Sequence, residues 1–208
     1  MAIPAWIVTG PLGSGKTTVI ARLLARKPPG ENWVVLLNEF SDAGVDALTI
    51  ATAARGAYDV RLVPGGCLCC AGEQDFRRNL RELVSGSPPD RLIVEPSGLG
   101  HPAGIVEELL GYEARGQLLL QSVLAVLDAP RIAAGECGAG TLAHDQAEIA
   151  DALALSKADL ADVATRERFR AFAAEFYPAK RWIGAVERGE LDPEALRPGT
   201  RSARAATP

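Results

Sequence analysis

One octapeptide constrains this chain more than any other stretch: Gly10-Pro11-Leu12-Gly13-Ser14-Gly15-Lys16-Thr17. It follows the apolar run Trp6-Ile7-Val8-Thr9 and leads into the β-branched residues Thr17, Thr18, Val19 and Ile20, a strand–loop–helix setting. The glycines let the backbone wrap until successive N–H groups face a β-phosphate. Lys16 then neutralises charge at the β- and γ-phosphates, and the Thr17 hydroxyl takes a place on Mg²⁺. Gly13, Ser14, Gly15, Lys16, Thr17 and Thr18 are therefore the expected phosphate-binding residues, with Lys16 also catalytic.

Apolar runs over 6–9, 33–37, 60–63, 92–94, 118–127, 152–155 and 182–186 predict strands, most of them buried on both faces. Helical patterns fall between them. Residues 17–26 stop before Pro28-Pro29, and Phe76, Leu80, Leu83 and Val84 share one face; 105–112 and 166–176 are further helices. Strands alternating with helices predict an α/β fold, a three-layer P-loop NTPase with a mostly parallel central sheet, whose ligands gather at the carboxyl ends of the strands. The segment 133–144 is rich in Gly and Ala without periodicity and predicts a mobile loop. With 208 residues and 48% hydrophobic content the chain can bury a full core, so one domain is expected over 1–196, followed by a polar, flexible tail over 197–208.

A formal net charge of −4 gives no general pull toward nucleic acid or anionic membrane. No basic segment precedes an apolar run at the start, and no uncharged stretch is long enough to span a bilayer. Three of the four cysteines lie within four residues, a spacing that suits metal binding in a reducing cytoplasm better than a secreted disulfide framework.

Two further elements belong with the phosphate loop. Glu95-Pro96-Ser97-Gly98 follows the run 92–94, where P-loop proteins place an acid near the Mg²⁺ shell, and Gly98 can offer its N–H to a γ-phosphate. Ser156-Lys157-Ala158-Asp159 follows 152–155; a carboxylate at Asp159 can accept hydrogens from N1 and the 2-amino group of guanine, which adenine lacks, so GTP is favoured over ATP. Asn38-Glu39-Phe40 occupies the place of a switch loop, where Glu39 can touch Mg²⁺, orient water or reach a nearby metal.

Cys67, Cys69 and Cys70 follow Gly65-Gly66, which free the backbone to turn the sulfurs inward. Thiolates favour Zn²⁺, Cu⁺ or Fe–S chemistry by softness, with Co²⁺ and Ni²⁺ accommodated in tetrahedral or planar sites. Three thiols leave a four-ligand site open, and His101, Glu39, Glu95, Cys137, His144, water or a second protomer are the candidates to complete it. An incomplete site suits a metal that must leave. His101, three residues after Gly98, is the favoured ligand, whereas Cys137 and His144 read more simply as ordinary loop residues.

Taken together, the P-loop, Asn38-Glu39-Phe40, Gly66-Cys67-Leu68-Cys69-Cys70, Glu95-Pro96-Ser97-Gly98 with His101-Pro102, and Ser156-Lys157-Ala158-Asp159 resemble the CobW-like GTPases. These are relatives of the urease and hydrogenase accessory GTPases that insert nickel. The resemblance covers residues 7 to about 196 and implies a Mg²⁺-dependent GTPase whose Cys-x-Cys-Cys binds Zn²⁺, Co²⁺ or a similar ion. It also implies a metallochaperone or metal-homeostasis role, a client metalloprotein and a nucleotide-dependent homodimer. Two departures stand out: the usual carboxyl-terminal domain and His-rich segment are not expected here, and Ser156 replaces the asparagine more usual in the base motif.

The resulting expectation is that Mg²⁺-GTP orders the loops after Asn38 and Glu95 and so gathers the three thiolates around their metal, with Lys16, Glu39 and Glu95 serving hydrolysis. Two rivals use the same residues differently. A P-loop kinase would pass the phosphate to a small molecule and leave the cysteines idle; a nucleotide-binding scaffold would keep a permanent structural zinc.

Overall fold

The computed structural model describes residues 2–38, 58–63 and 71–197. Its elements follow in the order β1 (Ile3–Thr9), α1 (Lys16–Ala25), β2 (Trp33–Asn38), β3 (Tyr58–Val63), α2 (Ala71–Ser85), β4 (Arg91–Glu95) and α3 (Ala103–Ala114). Then come β5 (Leu118–Asp128), α4 (Ala129–Ala133), α5 (Leu142–Ile149), β6 (Ala152–Ser156), a 3₁₀ turn (Ala158–Leu160), α6 (Val163–Ala174), β7 (Trp182–Val186) and a second 3₁₀ turn (Pro193–Leu196). The seven described strands form one sheet in the order β3-β2-β4-β1-β5-β6-β7, and every registered pair is parallel. The expected α/β fold with a parallel sheet is the one found.

Strict alternation along β1 explains the layering. Ile3, Ala5 and Ile7 point to one face, where they pack with Phe76 and Leu80 of α2, Ile105 and Leu109 of α3 and Phe169 and Phe172 of α6. Trp6 and Val8 point to the other, against Val19, Ile20 and Leu24 of α1 and Leu191 and Leu196 near the end. With both faces covered, β6 is buried at all five positions from Ala152 to Ser156, which suits its apolar run Ala-Leu-Ala-Leu before the serine.

Placing β1 between β4 and β5 fixes where ligands can gather. The chain leaves β1 for β2, adds β3, returns to β4 on one side of β1 and then lays β5 on the other. The carboxyl end of β1 thus lies in the crevice where strand order reverses. A separate cavity of about 340 Å³, lined by Trp6, Trp33, Arg91, Gln121 and Leu196 among others, includes residues at the amino ends of β2 and β4. Arg91 lies over the Trp6 ring at 3.8 Å and donates to Gln121 at 2.8 Å, which makes this cavity part of the packing between the sheet and the chain's late segment.

The loop expected over 133–144 is found over 134–141 and corrected at its ends. Residues 142–144 form the first turn of α5, and α4, which ends at Ala133, is a second helix with no periodic signal. Both are too short for an apolar stripe to show in the sequence, but each has a cap: Asp128 Oδ1 accepts from the Arg131 N–H at 3.2 Å, and Thr141 Oγ1 from the His144 N–H at 3.2 Å. Among the described residues no helix is long and apolar enough to cross a membrane.

Candidate functional site

The loop after β1 is built around left-handed glycines. Gly10, Gly13 and Gly15 have φ of 139°, 76° and 92°, a region that side chains strain to enter. A Cβ at Gly10 would also strike the Val126 carbonyl of β5. The loop ends at Gly15, and α1 begins there without any side-chain cap, so its first N–H groups remain available to an anion along the helix axis. Ser14 is fully buried, and its Oγ has no hydrogen-bond partner among the described residues, which fits a group waiting for a phosphate oxygen.

Lys16 and Thr17 extend this cradle. Lys16 is 5% exposed, and its Nζ donates to the Pro11 carbonyl at 3.0 Å, so the ammonium is folded back over the loop it serves. The Thr17 hydroxyl donates to Glu95 Oε1 at 3.1 Å. That contact joins the first turn of α1 to the end of β4 across 78 positions of sequence, and Glu95 is itself buried at 5% exposure. A hydroxyl beside a buried carboxylate is an all-oxygen donor pair of the kind a hard divalent cation prefers. Thr18 sits one residue further along α1 and is exposed.

Gly98 closes the cradle from the β4 side. A Cβ there would lie 2.6 Å from the Leu12 nitrogen and 2.9 Å from Lys16 Nζ, so only glycine permits the approach. The base motif arrives from β6: the Ser156 hydroxyl donates to the Ser14 carbonyl at 2.5 Å, which means the serine itself ties this motif to the phosphate loop. Lys157 adopts φ 51° and points its Nζ toward Asp128 at 3.9 Å, while Asp159 is exposed in the following 3₁₀ turn, accessible to a ligand.

Of the predicted site residues, the structure brings Gly13, Ser14, Gly15, Lys16, Thr17, Glu95, Gly98, Ser156 and Lys157 to one end of the sheet. Glu39, Cys67, Cys69 and Cys70 lie outside the described residues. His101 sits on the loop after Gly98, and its Nδ1 lies 3.5 Å from Asp145 Oδ2 of α5. Cys137 is 3% exposed and packed in the core; burial pushes its thiol up to about 11, so at neutral pH it is a protonated apolar filler and a poor ligand.

Asp128 and Arg131 escaped the sequence reading. Asp128, at the end of β5 and 5% exposed, accepts from the Arg131 N–H, and Arg131 Nη2 reaches the Leu12 carbonyl at 3.5 Å. The signal was present as an acid closing a long apolar run just before Pro130, the pattern of an N-cap.

A strand, a left-handed glycine loop, an uncapped helix start, and a hydroxyl paired to a strand-end carboxylate make a nucleotide-binding domain. Residues 4–183 match the CobW/HypB/UreG nucleotide-binding domain. The chain belongs to this family. This CobW/HypB/UreG domain is 40% identical over 154 residues to the zinc chaperone YeiR of Escherichia coli strain K12, covering 74% of this chain and 46% of that protein. To the zinc chaperone CobW of Pseudomonas aeruginosa it is 32% identical over 217 residues, covering 91% of this chain and 58% of the relative. It therefore spans about half the length of these curated relatives. Among solved structures, the Zn(II)-bound YjiA GTPase from E. coli superposes with a TM-score of 0.64 at 22% identity, covering 94% of this chain and 61% of that one, a likeness of fold.

Proposed function

We propose that this CobW/HypB/UreG domain hydrolyses GTP with Mg²⁺ and uses the nucleotide state to hold or release a zinc-class ion at Cys67, Cys69 and Cys70. The observation that carries the nucleotide half is the Thr17–Glu95 contact at the uncapped start of α1. Thr17 and Glu95 are the residues to hold Mg²⁺, which when bound would neutralise charge between the β- and γ-phosphates. Lys16 binds the same phosphates from within the loop. Gly98 presents backbone close to Lys16 Nζ, where a γ-phosphate would be felt, and Asp159 at the exposed rim favours guanine. Glu39 is assigned to the water or the metal.

Support for the metal half comes from chemistry and from kin. Three thiolates within four residues form a soft, incomplete donor set, and the similar proteins named above are zinc chaperones. His101 is the link from the Gly98 loop toward a metal. In this reading the ion is cargo for a client metalloprotein in a reducing cytoplasm, and Leu12 and Leu99, 54% and 60% exposed beside the phosphate loop, are the apolar surface for a second copy in the GTP state.

Coupling of this kind is reciprocal, so GTP must tighten zinc as much as zinc tightens GTP. Chelator competition with zinc, run on the Mg²⁺-GTP and Mg²⁺-GDP forms, checks it. Tighter zinc with GTP is expected; equal affinities would sink the gating and favour a permanent structural zinc.

A further inference from the structure

We infer that α5 carries a second divalent-cation site, formed by His144, Asp145 and Glu148, with His101 contributed by the Gly98 loop. This site does not use the thiolates and does not rest on the function proposed for them.

Helical spacing creates the cluster. His144 and Glu148 are four apart and Asp145 and Glu148 three apart, so one imidazole and two carboxylates share a face. Their ligand atoms all lie within 4.8 Å of one another. His101 Nδ1 stands 3.5 Å from Asp145 Oδ2. Ligand atoms around a tetrahedral zinc, with bonds of about 2.0–2.2 Å, stand roughly 3.3–3.6 Å apart. The His101–Asp145 separation already meets that spacing, whereas the group mutually within 4.8 Å is His144, Asp145 and Glu148, so joining His101 to the same ion takes a shift of its loop.

Two features around the cluster suit a built site. The His144 ring is set by Phe172 and Phe176, with centroids at 6.0 and 5.1 Å, which orients the imidazole before any ion arrives. Gln146, fully buried between these ligands in sequence, donates to the Gly100 carbonyl at 3.1 Å, and its Oε1 has no partner among the described residues. Gln146 thus pins the loop that carries His101 against α5 and leaves an unsatisfied acceptor beside it.

Two imidazoles with two carboxylates select an ion of the Zn²⁺, Co²⁺ or Ni²⁺ class over Ca²⁺ or Mg²⁺, which prefer all-oxygen shells. Through His101 the ion would grip the loop whose Gly98 backbone abuts Leu12 and Lys16. The site is thereby placed to report on the phosphate loop from the outside.

The test uses the full chain with Cys67→Ser, Cys69→Ser and Cys70→Ser combined, titrated with Co²⁺ and followed by its visible absorption, then with Zn²⁺ in competition. One equivalent is expected to bind with no thiolate charge-transfer band. Adding Glu148→Gln or His144→Ala should weaken it by about tenfold or more, and His101→Ala by several-fold. Glu148 is exposed, so its variant keeps the fold even where loss of the His144 ring disturbs Phe172 and Phe176. A triple-serine chain that binds no cobalt, or one whose binding is untouched by Glu148→Gln and His144→Ala together, overturns the site. Neither result bears on whether GTP and GDP differ at the thiolates of the unaltered chain.

Discussion

Helices α1 and α5 both begin at the nucleotide end of the sheet, yet they offer opposite chemistry. At α1 the first residue follows left-handed Gly15, nothing caps the N–H groups, and buried Lys16 and Ser14 surround the opening. At α5 the Thr141 hydroxyl takes the His144 N–H, so the backbone is satisfied, and what remains is a side-chain face of His144, Asp145 and Glu148. An open helix start has positive character and awaits an anion; a closed one with carboxylates along its side awaits a cation. The two starts differ in the cap, glycine against threonine, and so in whether backbone N–H groups are left open or satisfied.

The largest expected effect breaks the α1 half alone. Lys16→Ala removes a buried ammonium from the phosphate loop and should weaken GTP binding by roughly a hundredfold, the scale of a charged hydrogen bond lost in a dry site. Titration with a fluorescent GTP analogue reads it, and retention of cobalt by the same variant carrying Cys67→Ser, Cys69→Ser and Cys70→Ser would show that α5 does not depend on the nucleotide.

Gly98→Ala probes the seam between the halves. The added methyl would press on the Leu12 nitrogen and Lys16 Nζ, so the loop must move; overpacking of about 1–3 kcal/mol predicts GTP affinity lower by about tenfold. The same analogue titration measures it. Unchanged affinity would mean that the β4 loop stands off from the phosphates when nucleotide is bound, and the seam would then not couple the two regions.

The smallest effect concerns Cys137, which lies between α4 and α5. Its thiol ionises near 9.0 when unburied and near about 11 here because burial penalises the thiolate. The unfolded chain therefore loses this proton first, so the stabilisation is complete below about pH 9 and is lost as pH rises toward 11. Thermal melts should show the unaltered chain losing stability more steeply over that window than Cys137→Ala. Parallel slopes would contradict the assignment of Cys137 as protonated core.

Strands were legible because burial on both faces favours apolar residues, so β1, β6 and the second half of β5 read as largely apolar runs, although β5 also carries Gln121 and the buried Ser122. Helices α2, α3 and α6 were legible through their periodicity or their apolar residues. Helices α4 and α5 were not: five and eight residues respectively give too few turns for a stripe, and only the caps Asp128 and Thr141 betray them. For the same reason His144 was placed in a loop, where its neighbours on a helical face stayed invisible.

The local chemistry of the phosphate loop is written in residues that are neighbours along the chain. Glycine at 10, 13 and 15 dictates the wrap, Lys16 and Thr17 follow from motif spacing, and the fold class follows from the alternation of apolar runs with helices. The long-range pairings emerge only from the folded chain: Thr17 with Glu95, Ser156 with Ser14 across 142 positions, and His101 with Asp145. Backbone conformation and periodicity are set by residues a few positions apart, whereas these contacts depend on β1 lying between β4 and β5, an arrangement set by packing the whole sheet.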